Sequence, residues 1–212
     1  MTTESNTEQQ PTAAGTAEIA PTPVDDSGNR AVFDHTFEAD TDLVGHMVLS
    51  LDIEAIDTTD VDLFVGIEKL DADGNEVYFY SASGGNANGP VTRGWLRASK
   101  RTLNTERSTD WRPVLDLSTD VPLTPGEVTT VTIPLMPSGT TFRPGETLRV
   151  VIQSWSTPGQ WEGGESRVWN TNQAGTARLH TGPDRHASLL VPRIQSSGRK
   201  ESASPQRLQR IV

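Results

Sequence analysis

The sequence predicts an all-β fold, a jelly-roll β-sandwich with disordered N- and C-terminal tails. Three observations carry this reading. Apolar residues between positions 31 and 194 alternate with a period of two, the pattern of half-buried strands. The connections are dense in Gly and Pro, as at Gly84-Gly85, Gly89-Pro90, Pro125-Gly126, Pro144-Gly145 and Pro158-Gly159, and no window of about 12 residues carries a helical apolar period free of such breakers. Both ends of the chain are polar and lack any period.

Residues 1–30 are rich in Thr, Glu, Gln, Pro and Ala. They cannot bury enough apolar surface to offset chain entropy and are expected to form a disordered arm. The first strand is expected at 32–37. In the next, Met47, Leu49, Leu51 and Ile53 point one way while His46, Val48, Ser50, Asp52 and Glu54 point the other. The run 61–70 is apolar on both faces at Val61, Leu63, Phe64, Val65 and Ile67, as a central strand would be. Asp71-Ala-Asp-Gly74 then signals a turn, because Asp-Gly tolerates the positive φ of a tight hairpin, so 61–80 reads as a hairpin returning through 77–80. Further strands are expected at 91–99, 128–134, 147–155, 167–169, 177–180 and 187–191. Residues 195–212 are polar and basic, with Arg199, Lys200, Arg207 and Arg210, and read as a second, solvated tail. About nine or ten strands joined by turns make a sandwich or barrel, and the jelly roll fits that number.

The 212 residues suffice for one domain with a substantial core, placed at 31–194. Eighteen basic and 28 acidic residues give a formal charge of -10, which repels phosphate backbones and argues against nucleic acid as a partner. With no cysteine, disulfides, thiolate chemistry and cysteine-ligated zinc are excluded. The first ten residues lack the basic start and apolar stretch of a secretory signal. No apolar run approaches the ~20 residues needed to span a bilayer. The sequence is therefore expected to be a soluble, cytoplasmic protein with no membrane partner.

Tests for chemistry come out negative. No Gly-x-Ser-x-Gly pentapeptide, the strained turn that presents a serine nucleophile, occurs in the chain. Ser81-Ala-Ser-Gly-Gly85 lacks the leading Gly and reads as a glycine-rich loop. His35, His46, His180 and His186 are scattered singly, without the spacing of metal ligands, and read as structural or solvated. An EF-type calcium loop puts Gly sixth and Glu twelfth, whereas in the loop opening at Asp71 the fourth residue is Gly74 and the twelfth Ala82. Asp57, Asp60 and Asp62 could do acid-base work if burial split their pKa values, but hydrogen bonding to a neighbouring loop is the simpler expectation. No catalytic residue, metal ligand or cofactor-binding residue is assigned.

Trp155, Trp161 and Trp169 fall within 15 residues of one another, beside Asn170 and Asn172 and around the glycine-bearing loop 156–164. Indole offers a broad rigid surface with one N–H donor. This group is the candidate surface for a partner or ligand, a sugar ring included, with core or rim packing as the plainer explanation.

Several segments occur in a telling order: Thr59-Asp-Val-Asp-Leu-Phe64, the Asp73-Gly74 turn, Gly94-Trp-Leu-Arg-Ala-Ser99, Trp111-Arg-Pro113, Pro125-Gly126, Phe142-Arg-Pro-Gly145 with the strand that follows, and Ser188-Leu-Leu-Val-Pro192. In order and spacing they resemble the C-terminal non-catalytic domain of the Xaa-Pro dipeptidyl-peptidase and cocaine-esterase family of serine hydrolases. The resemblance covers 31–194. Lys100 and Glu146 stand where many members have histidine. The resemblance implies a galactose-binding-like jelly roll that belongs to a hydrolase family without holding the catalytic triad, which in the family lies in an α/β-hydrolase domain. It implies support of such a domain, supplied in trans, or self-association, with no cofactor. A carbohydrate- or ligand-binding module using the loop from Trp155 to Trp169 is the alternative.

Overall fold

The structure is a computed structural model, and it describes residues 8–9, 15–19, 30–81, 86–154, 175–182, 184–194 and 207–210. In chain order the strands are β1 (Glu8–Gln9), β2 (Gly15–Ile19), β3 (Arg30–Thr36), β4 (Thr41–Gly45), β5 (Val48–Ala55), β6 (Asp62–Leu70), β7 (Glu76–Val77) and β8 (Phe79–Ser81). They continue with β9 (Asn86–Gly89), β10 (Thr92–Arg97), β11 (Val128–Pro134), β12 (Ser138–Phe142), β13 (Thr147–Gln153), β14 (Ala177–Thr181), β15 (Ala187–Ile194) and β16 (Arg207–Arg210). A 3-10 turn at Ala98–Lys100 follows β10, and no α-helix occurs among the described residues.

Two sheets result. The first runs β1-β3-β13-β6-β10, with β7 paired to the end of β6. The second runs β12-β4-β15-β5-β14-β2, with β11 along β5 and β16 along β15. Strand β5 organises the second sheet: β11 pairs it from Val48 to Glu54, while β15 pairs its first half and β14 its second. A strand has only two edges, so β14 and β15 lie end to end along one of them. The ladders are antiparallel except β1 on β3.

The phase read from β5 holds: Met47, Leu49, Leu51 and Ile53 lie in the core. Leu63, Val65 and Ile67 of β6, Val150 and Ile152 of β13 and Leu96 of β10 meet them from the first sheet. Each such side chain contributes about 1.5–3 kcal/mol when fully buried. Phe37 and Phe142 stack with ring centroids 4.6 Å apart inside the same cluster. The outward face of the first sheet is covered over β3 and β13, since Val32, Val151 and Gln153, which alternate with the core positions, are buried.

Strand β11 coincides with the expected 128–134, and β3, β6, β13, β14 and β15 lie within a few residues of the expected ranges. Strands β4 and β12 pair with each other but were not foreseen. Their inward residues reduce to Thr41, Leu43 and Phe142, too few for an alternation to show. The expected strand 77–80 is interrupted between Val77 and Phe79, and 91–99 leaves strand geometry after Arg97. Strands β1, β2 and β16 lie inside the segments expected to be disordered tails and pair with β3, β14 and β15. Pairing of this kind joins backbone to backbone at free strand edges and needs no side-chain period. The rest of both tails, and the strand expected at 167–169, lie outside the described residues.

Candidate functional site

The residues singled out from the sequence divide into those used inside the fold and those not described. Trp155, Trp161, Trp169, Asn170 and Asn172 lie outside the described residues, as does the glycine-rich loop after Ser81. The three aspartates are structural, as expected. Asp57 Oδ1 accepts from Thr176 N at 2.6 Å. Asp60 accepts from Ser99 N and Ser99 Oγ at 2.8 and 2.6 Å and from Val61 N at 3.0 Å. Asp62 forms a two-pronged ion pair with Arg97, Nε to Oδ1 at 2.8 Å and Nη2 to Oδ2 at 2.9 Å, and this bond raises the guanidinium pKa. Asp71 closes the hairpin turn by accepting from Asp73 N and Asn75 N, with Gly74 at φ 86. No group of three or more His, Asp or Glu among the described residues is placed to hold a metal.

Each histidine has a local partner. The His35 ring meets Phe37 edge-on at 4.9 Å, and burial lowers its pKa against the pull of Glu38. His46 Nδ1 lies 3.4 Å from Leu135 O. His180 and His186 sit on the outward face of the second sheet. His180 Nε2 is 2.9 Å from Glu54 Oε2, an oxygen shared with Arg178 Nη1 at 3.2 Å. The bond from His180, then Arg178, lowers the Glu54 pKa. Burial opposes ionisation of Asp52, but Thr130 Oγ1 at 2.7 Å, His186 N at 3.1 Å and the His186 ring outweigh it and hold its pKa below the ordinary value.

The segment Gly94-Trp-Leu-Arg-Ala-Ser99 can be read residue by residue. Gly94 faces inward where β10 meets the second sheet, and a Cβ there would lie 2.5 Å from Pro134 O. Only glycine fits without backbone movement. Leu96 and Ala98 are core residues, Arg97 holds Asp62, and Ser99 holds Asp60. Trp95 is the exception: it points outward and is 56% exposed.

The connection 101–127 then runs without a strand to β11. Connections of this length are uncommon in compact domains and are usually functional when ordered. Order comes from its own hydrogen bonds, Asn104 N to Val114 O at 2.8 Å and Asp116 N to Thr102 O at 2.7 Å. Anchors to the sandwich are Val121 N to Ser99 O, Leu123 N to Thr59 O and Gly126 N to Ala55 O. Its base therefore sits at the C-terminal end of β5. Its tip reaches the other end, where the Trp111 ring lies 6.3 Å from the His46 ring.

Trp111 is 46% exposed and Met136, whose N–H donates to Arg93 O at 2.9 Å, is 52% exposed. Between Thr92 and Arg112 stand six basic residues and two acidic ones, a net of +4 in a chain of net -10. Arg97 and Lys100 are paired with Asp62 and Asp120, and Arg101 donates to Ala98 O and Val121 O. Arg93, Arg107 and Arg112 make no ion pair among the described residues. Trp95 and Arg93 on β10 thus adjoin Met136, and Trp111 joins them through His46 and Leu135. The sequence reading passed over this surface, although strict alternation from Gly94 and Leu96 would have turned Trp95 outward.

Residues 1–190 match the X-Pro dipeptidyl-peptidase C-terminal non-catalytic domain. The chain belongs to this family. Its match begins further toward the N-terminus than the 31–194 expected from the motifs. A CocE/NonD family hydrolase of known crystal structure from Staphylococcus aureus is similar with a TM-score of 0.77 and 36% identity, over 85% of this chain and 33% of that one. A Mycobacterium bovis protein provisionally named a serine esterase is 31% identical over 127 residues, 58% of this chain and 17% of the relative. An alpha-amino acid ester hydrolase shares the fold at 18% identity and a TM-score of 0.55, over 86% of this chain and 33% of that one. This non-catalytic domain thus spans a third or less of the length of each. Lys100 pairs with Asp120 at 2.9 Å, and Glu146 with Lys69 at 2.6 Å. No helix among the described residues is long and apolar enough to cross a membrane.

Proposed function

We propose that this domain supports a serine hydrolase, a dipeptidyl-peptidase or an ester hydrolase, by packing against an α/β-hydrolase catalytic domain while contributing no nucleophile. The observation that carries the reading is the likeness to a minor part of a hydrolase chain, 36% identity over the 33% that this chain covers. The chemistry agrees. Two acid–histidine pairs occur among the described residues, Asp52–His186 with Nδ1 3.2 Å from Oδ1 and Glu54–His180 with Nε2 2.9 Å from Oε2. A triad needs a hydroxyl on the far ring nitrogen, and the hydroxyl present, Thr130 Oγ1, donates to Asp52 instead.

Two experiments test the proposal. The purified chain, offered p-nitrophenyl butyrate and an Ala-Pro p-nitroanilide, shows no turnover above buffer; turnover that scales with chain concentration through purification overturns it. Substituting this chain for the matching third of the Staphylococcus aureus hydrolase gives a chimera that retains ester hydrolysis. An inactive chimera counts against the supporting role.

A further inference from the structure

We propose that the β10 edge, formed by Trp95, Trp111 and Met136 with Arg93 and Arg112, is the face that receives the catalytic domain, and that the catalytic domain meets it with apolar side chains ringed by carboxylates. The inference rests on the supporting role proposed above and adds to it the surface and its chemistry.

Elimination of the other faces is the first step. The outward side of the second sheet is closed on itself, with Asp52, Glu54, Arg178, His180 and His186 bonded to one another or to Thr130. The outward side of the first sheet is closed over β3 and β13, where Val32, Val151 and Gln153 are buried and Arg149 forms a two-pronged pair with Asp34, but it is open at its β10 margin, where Arg93 and Trp95 stand opposite Gly66 and Phe64. Neither the second sheet's face nor the closed part of the first offers a partner both apolar area and free charge. The β10 edge offers both.

Continuity is the second step. The Trp111 ring lies against His46, and His46 reaches Leu135 O. Met136, the next residue, donates to Arg93 O and accepts from Thr92 Oγ1 at 2.5 Å. Two residues further along the same face of β10 stands Trp95. Trp and Arg are the side chains that most often dominate binding energy at protein interfaces, and exposed apolar groups rimmed by polar ones mark such surfaces. Each carries surface area that the isolated fold has no use for.

Charge chooses the occupant's chemistry. The stretch from Thr92 to Arg112 is +4 within a chain of -10; Arg97 and Lys100 are taken up by Asp62 and Asp120, while Arg93 and Arg112 make no ion pair among the described residues. A carboxylate-bearing rim would satisfy them and speed encounter. The occupant is the catalytic domain because, in the Staphylococcus aureus hydrolase, the matching region accounts for only 33% of the chain, and the remainder must have a face to rest on.

The test uses the chimera described above. Trp95→Ser with Trp111→Ser, and separately Arg93→Glu with Arg112→Glu, each lower kcat/KM for p-nitrophenyl butyrate by at least about tenfold, the loss expected of interface anchors, and add a separate unfolding transition for the undocked domain. Leu117→Ser, at an exposed position on the same connection, leaves both readouts unchanged. In the isolated chain the tryptophan substitutions leave Tm unshifted. An active chimera indifferent to both pairs of substitutions overturns the assignment of the surface while leaving the supporting role standing. A fall in Tm of the isolated chain by more than about 5 °C overturns it as well, by making the indoles part of the fold. So does a dimer of the isolated chain in light scattering that the tryptophan substitutions dissolve, since a second copy would then own the face.

Discussion

The β10 edge and the outward face of the second sheet are both polar surfaces built on the same sandwich, yet their charges end in different places. On the second sheet, Asp52 and Glu54 reach Thr130, His186, His180 and Arg178, so both carboxylates face partners within the chain. Along β10, Arg97 is tied to a carboxylate, while Trp95 and Arg93 on the same strand face outward, Arg93 without an ion pair among the described residues. A surface that satisfies itself serves the fold, and a surface that does not is available to something else. The contrast separates architectural from outward-acting residues.

Breaking the inner side of β10 has the largest expected effect. Gly94→Ala places a methyl 2.5 Å from Pro134 O and 3.2 Å from Leu135. Backbone atoms on both sides cannot rotate away, so the sheets must separate locally, at a cost of about 3 kcal/mol. Thermal or urea unfolding reads it directly. A loss under ~1 kcal/mol would mean that the β10 edge is not rigidly held, and the contrast between the two surfaces would weaken with it.

Asp60→Ala comes next. It removes the acceptor of Ser99 N, Ser99 Oγ and Val61 N, and Ser99 is buried. A buried donor left unpaired costs about 2 kcal/mol. Because Ser99 O also anchors Val121 N, hydrogen exchange should quicken over the connection 101–127 more than over β5. Uniform quickening would show that the connection is not a separable unit.

Asp52→Asn tests the self-satisfied surface. The folded pKa of Asp52 is depressed below its ordinary value of 3.8. Such a carboxylate contributes stability that is complete above the unfolded pKa and is lost as pH falls through the folded one. The substitution should therefore cost about 1 kcal/mol at neutral pH, and the gap from the parent should close below about pH 4. A gap that stays constant from neutral pH into acid would assign the effect to shape rather than charge.

How much of this was legible in the sequence depends on what kind of signal each feature leaves. The phase of β5 could be read because Leu49, Leu51 and Ile53 alternate with Ser50, Asp52 and Glu54. β4 and β12 could not, since Leu43 and Phe142 stand nearly alone as apolar inward residues in their strands. The aspartates at 57, 60 and 62 were legible as a hydrogen-bonding group, but their partners Thr176, Ser99 and Arg97 are tertiary neighbours that no local pattern names. The β10 edge fell between these cases. Trp95 was visible as part of a motif that identifies the family, and a motif read as a label hides which of its members face outward. Trp111 joins the surface only because the connection 101–127 carries it back to His46, and that path is a property of folded backbone bonds.

The smallest expected effect carries the comparison furthest. Trp95→Ser and Trp111→Ser, made together in the isolated chain, should change stability by no more than about 0.5 kcal/mol, as for surface substitutions away from any buried contact. Large aromatic side chains that a fold does not need are unusual, because an exposed indole favours aggregation and gains nothing from water. Retention of stability in the doubly substituted chain, measured by thermal unfolding, would therefore mean that the indoles answer to a partner. A loss above ~2 kcal/mol would instead place them among the groups that hold the connection to the sandwich. The β10 edge would then be a second self-satisfied surface, differing from the outward face of the second sheet only in using apolar contacts where that face uses charge.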